Sequence, residues 1–103
     1  MLSDIAYCVY THSDYKDVWP IFFGQTNKYL DEKLDKFIFI DSGYKGNDIP
    51  SEYCRIEYDD RDSYTDRVYS CIARLKSKYV LHQHEDMFLY GKPDWDSIES
   101  YLF

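Results

Sequence analysis

Short β-rich apolar runs separated by stretches of helical periodicity constrain the fold of this chain more than any other feature. Ile5 to Tyr10 is apolar on both faces, which is the pattern of a buried parallel strand. Phe37 to Ile40 is the clearest strand, closed by the turn signal Asp41-Ser42-Gly43. Tyr53 to Tyr58 alternates weakly and reads as a short strand nearer the sheet edge. Tyr79 to Gln83 is strand-like again and delivers His84-Glu85-Asp86 at its end. From Asp17 to Leu30 the period changes: Val18, Ile21, Phe22, Gln25 and Tyr29 recur at three- and four-residue steps, and Pro20 falls in the first turn, where it is tolerated. A second helix starts at the N-cap candidate Ser63, with Asp66 in capping-box position and an apolar face of Val68, Cys71, Ile72 and Leu75. Asp94 to Leu102 has the look of a short terminal helix capped by Asp94.

The order β-α-β-β-α-β-α predicts an α/β fold: a three-layer, Rossmann-like, mainly parallel sheet with helices on both faces. Strands near 4–10, 36–41 and 78–84 should lie parallel and adjacent, with helices near 17–31 and 63–77 packed on them. In such a sheet the ligand crevice lies at the carboxyl ends of the strands. Three polar clusters fall at that edge: Thr11-His12-Ser13-Asp14, Asp41-Ser42-Gly43 and His84-Glu85-Asp86. Strand ends of any α/β protein also carry polar turn residues, so each cluster alone has a purely structural reading.

A length of 103 residues allows a single domain, 1–103. The formal net charge of −7 offers no basic stripe for a nucleic-acid backbone and disfavours an anionic membrane surface. A phosphorylated ligand remains compatible where a metal ion or helix N-terminus neutralises it. Cys8, Cys54 and Cys71 lack the paired spacing of a zinc site and sit in apolar runs, so three reduced, largely buried thiols are expected. No basic leader or transmembrane run stands at the start of the sequence, and the expected compartment is the cytoplasm.

Glu85-Asp86, arriving directly from a buried strand, is the sharpest chemical signal. Adjacent carboxylates on a rigid strand end suit a hard cation, Mg²⁺ or Mn²⁺, that bridges to a diphosphate. The competing reading is a pair of solvated or helix-capping carboxylates. His82 and His84 share one face of a strand, and with His12 they read more readily as packed or edge histidines than as a metal site. Asp59-Asp60-Asp62 lacks the ligand count and glycine spacing of a calcium loop. Trp19 and Trp95 read as core or rim residues. No P-loop, nucleophile elbow or glycine-rich dinucleotide fingerprint is present.

The stretch Asp66-Arg67, followed by Lys78-Tyr79-Val80-Leu81-His82-Gln83-His84-Glu85-Asp86-Met87-Phe88, resembles nucleotide-sugar glycosyltransferases of the GT-A fold. There, a helix with an acidic or Asp-Arg start leads into a K-Y-V-L strand that ends in an acidic metal-binding motif, D-x-D or E-D-D. Asp17-Val18-Trp19-Pro20-Ile21-Phe22-Phe23 and the aromatic-apolar strand before Asp41 are also similar. The resemblance spans nearly the whole chain as the first, nucleotide-binding half of a family domain, whose acceptor half, catalytic base and later metal ligand would follow. It implies a nucleotide-sugar donor as partner, with Thr11 and His12 beside the base and Asp41 near the base or ribose. It places Asp60 or Asp62 near the ribose, Asp66 and Arg67 close to the diphosphate or sugar, and Glu85 and Asp86, with His84 beside them, at Mn²⁺ or Mg²⁺. The motif departs from the family pattern. Read as D-x-D its first position is His84; read as E-D-D its last is Met87, so one oxygen ligand is replaced either way. Half a domain also leaves a sheet edge and an apolar flank, for which a homodimer is the expected cover. A non-catalytic binding or assembly domain that keeps this fold is the alternative to an enzyme.

Overall fold

The computed structural model describes residues 4–30, 34–87 and 93–97. Four strands, β1 (Ile5–Tyr10), β2 (Asp35–Asp41), β3 (Tyr53–Tyr58) and β4 (Tyr79–His84), form one sheet in the order β3-β2-β1-β4. Every ladder is parallel, with Ala6 opposite both Asp35 and Val80, and Phe37 opposite Cys54. The weakly alternating run Tyr53–Tyr58 takes an edge position, as its sequence suggests. Helix α1 (Trp19–Tyr29) links β1 to β2, and α2 (Tyr64–Ile72) links β3 to β4. The expected terminal helix falls mostly outside the described residues; within them, Asp94 Oδ1 accepts from the Ser97 amide at 3.1 Å.

The period of two along β1 divides the core. Ile5, Tyr7 and Val9 face α1 and pack with Trp19, Phe22, Phe23, Ile38 and Ile40. Ala6, Cys8 and Tyr10 face the other way and pack with Phe39, Tyr58 and Cys71. The sheet is therefore covered on both sides, which is why β1 tolerates no polar residue. Among the described residues no helix is long and apolar enough to cross a membrane.

Four expectations need correction. The segment expected to open the first helix instead winds as a 3₁₀ turn over Ser13–Val18, with α1 starting at Trp19. The buried face of α1 is Trp19, Phe22, Phe23 and Thr26; Ile21 lies opposite that stripe and is 62 % exposed. The second helix stops at Ile72, where the amides of Arg74 and Leu75 bond three residues back and tighten the end. Arg74 thus lies beyond the last turn, where its Nη1 donates to the Glu57 carbonyl at 2.9 Å. Finally, all three cysteines are free, but only Cys8 and Cys71 are buried. Cys54 is exposed near the start of the edge strand β3, outside the cluster that Ile56 and Tyr58 form with α2. Burial pushes the Cys8 thiol up to about 12, so it is inert at neutral pH.

Tyr44 anchors the loop between β2 and β3. Tyr44 is buried edge-on against Trp19, with ring centroids 5.3 Å apart, and its hydroxyl donates to Asp48 Oδ2 at 2.7 Å. Gly46 lies against that ring: a Cβ there would stand 2.7 Å from Tyr44 Cζ. Because the ring is fixed by Trp19 and Asp48, it has nowhere to go. Gly46→Ala is expected to destabilise the fold by about 1–3 kcal/mol in urea denaturation. An unchanged midpoint would mean that the loop backbone yields instead.

Candidate functional site

From β1 the chain steps through α1 to β2 and on to β3 on one side. It then returns through α2 to β4, on the other side of β1. The order reverses between β1 and β4, and in open parallel sheets a crevice opens outside the strand ends at such a point. It encloses about 670 Å³ and is bounded by residues following β1, β3 and β4.

The wall after β1 is His12, which caps the 3₁₀ turn. Its Nδ1 accepts from the Asp14 amide at 3.0 Å, so the ring proton is on Nε2, which donates to Asp60 Oδ1 at 2.8 Å. Asp41, at the end of β2, is buried behind it, with Oδ2 at 3.8 Å from the same Nε2. That carboxylate is satisfied by Ser13, whose amide donates to Oδ1 and whose hydroxyl donates to Oδ2, each at 2.7 Å. Asp41 thus ties the end of β2 to the segment leaving β1.

Arg67, in the first turn of α2, forms the second wall. Its Nε donates to the Asp62 carbonyl at 2.9 Å, its Nη2 to the Asp60 carbonyl, and its Nη1 to the Tyr10 hydroxyl at 3.2 Å. The guanidinium also lies 5.1 Å over the Tyr58 ring. The bond to Tyr10 leads the causes that hold its pKa above the ordinary arginine value. Tyr10 is the hub of the floor, stacked on Tyr58 at 5.3 Å and meeting Tyr64 edge-on at 5.0 Å.

The third wall comes from β4. His84 Nε2 lies 2.8 Å from the Tyr64 hydroxyl, and the two rings stack at 5.6 Å. Glu85 is only 9 % exposed, and it makes no hydrogen bond or ion pair among the described residues. Asp86 beside it is exposed.

Of the residues singled out from the sequence, His12, Asp60, Arg67, His84, Glu85 and Asp86 line the crevice. Thr11 does not: it is buried, its Oγ1 accepts from Trp19 Nε1 at 3.0 Å and its carbonyl from the Tyr58 hydroxyl at 2.7 Å. Asp41 supports the site from behind. Asp66 and Asp62 are exposed outside the crevice lining; the Asp66 amide donates to Ser63 Oγ at 3.3 Å as part of the α2 cap. Sequence reasoning missed Tyr10 and Tyr64. Their signals were position alone: the last residue of a strand and the first residue of a helix entering the same edge.

Among the described residues, the group of His, Cys, Asp or Glu side chains close enough to share an ion is His12, Asp41 and Asp60, with ligand atoms within 4.8 Å of one another. It differs from the expected trio at His84, Glu85 and Asp86. Its chemistry opposes a metal as arranged, because an ion on His12 Nε2 would move the ring proton to Nδ1, against the Asp14 N–H. The group works as a hydrogen-bonded brace between strand ends. No family model matches the chain, and neither a curated protein nor a solved structure matches it.

Proposed function

We propose that the crevice binds a nucleoside-diphosphate sugar through a divalent cation, Mn²⁺ or Mg²⁺, held by Glu85 and Asp86. The observation that carries this reading is Glu85 at the end of β4: its carboxylate is unpartnered among the described residues, and it lines the crevice beside exposed Asp86. Two adjacent carboxylates at one strand end offer oxygen ligands of the kind a hard cation prefers. Asp14, Asp60, Glu85 and Asp86 outnumber Arg67 in the crevice lining, so a diphosphate meets net negative charge until a cation neutralises it. The fitting reaction class is sugar transfer from a nucleotide donor, with the cation stabilising charge on the departing diphosphate.

Isothermal titration with uridine, guanosine, cytidine and thymidine diphosphate sugars, with Mn²⁺ and with EDTA, tests the reading. Binding of one of them that requires Mn²⁺ is expected. Binding indifferent to EDTA, or none at millimolar concentration, would favour a non-catalytic assembly domain. Such a domain would use the edge strands β3 and β4 to associate with a second copy.

A further inference from the structure

Two histidines of β4 converge on one phenol. His84 Nε2 lies 2.8 Å and His82 Nε2 lies 3.5 Å from the Tyr64 hydroxyl, and the two imidazole rings meet edge-on at 5.2 Å. The other nitrogen of His82, Nδ1, is buried without a partner. That orphan decides where the protons sit. A buried N–H with no acceptor costs more than a buried bare lone pair, so His82 carries its proton on Nε2 and points it at the Tyr64 oxygen. The phenol hydrogen then turns to His84 Nε2, along the shorter contact, which is also the favoured sense for a phenol and an imidazole. His84 Nε2 is consequently an acceptor, and the ring proton of neutral His84 is left on Nδ1. Burial together with neighbouring His84 lowers the His82 pKa, in keeping with a neutral ring there.

We infer that Tyr64, backed by His82, is a positioning residue that fixes His84 as an Nδ1–H donor toward the crevice, where it serves an anionic oxygen of the ligand and not the metal. His12 is fixed in the opposite tautomer by the Asp14 amide, so the crevice walls hold two histidines of defined and different polarity. The role assigned to His84 rests on the diphosphate reading above; the tautomer does not. It follows that the cation's oxygen ligands come from Glu85 and Asp86, while the position occupied by His84 contributes a hydrogen bond to phosphoryl oxygen.

Long-range ¹H–¹⁵N spectra of the ligand-free protein at about pH 8, above the ordinary histidine range, read both tautomers directly. The expected pattern is Nδ1–H for His84 and Nε2–H for His82. In Tyr64→Phe, a change at a half-exposed side chain, His84 should revert to the Nε2–H form. A His84 already in that form, or one unmoved by Tyr64→Phe, overturns the assignment.

Inorganic pyrophosphate with Mg²⁺ then probes the donor role. His84→Ala should weaken binding about tenfold, and His84→Asn, whose amide N–H can stand near the Nδ1 position, should restore most of it. Measurable pyrophosphate binding that ignores both variants overturns the donor role alone. No binding to the unaltered protein overturns the diphosphate reading and the donor role with it, while the spectra still decide the tautomer.

Discussion

Trp19→Ala is expected to remove about 3–5 kcal/mol of stability, the cost of emptying a large aromatic site in a packed core. Trp19 is almost fully buried where α1, β1 and the β2–β3 loop meet, edge-on to both Phe23 and Tyr44. Its loss also leaves Thr11 Oγ1 without the indole donor at 3.0 Å and frees Tyr44 from the ring that fixes it. A domain of this size has about 5–15 kcal/mol in total, so the variant should unfold near physiological temperature. Chemical denaturation read by tryptophan-independent circular dichroism checks it. Trp19→Phe, which keeps most of the volume but not the donor, should lose markedly less.

The second large effect separates stability from binding. Asp86→Asn is expected to abolish cation-dependent nucleotide binding while leaving the melting temperature unchanged, because its carboxylate is exposed. Glu85→Gln should weaken binding as well, because it removes the other carboxylate of the pair that lines the crevice. The two variants therefore share one phenotype in calorimetry, a loss of cation-dependent binding by a protein that still folds. Cation-dependent binding that survives both changes would remove the support for the cation reading.

The sheet was legible because β1 and β2 carry near-continuous apolar runs, and only burial on both faces makes such runs affordable. The edge position of β3 was legible in its weaker alternation. Element boundaries were not. The segment from Ser13 to Val18 takes its 3₁₀ form from His12 and Asp41, and Asp41 lies far along the chain. Ile21 was misplaced because a helical period fixes spacing but not which stripe faces inward; Trp19 and Phe23 settle that. At the crevice, polar strand ends marked the right edge of the molecule. What separated Thr11 from His12, adjacent in sequence, was one step of strand alternation: Thr11 meets Trp19 and Tyr58 inside, and His12 meets Asp60 at the rim. The pairing of Tyr64 with His84 depends on where α2 lands over β4, and no local pattern encodes that.

The all-parallel sheet also has a consequence in time. Strand β1 is central, yet neither of its neighbours is local: β2 follows only after α1, and β4 is the last strand of the sheet. Loop closure must precede each ladder, so no hairpin can act as an early seed, and folding should be slow for a chain this short. During synthesis the first strand emerges long before its second partner exists. Until residues 79–84 leave the ribosome, one side of the most apolar strand stays open to other chains. Truncation before β4 should therefore yield aggregate, not a smaller folded unit, and the crevice forms only with the final strand in place.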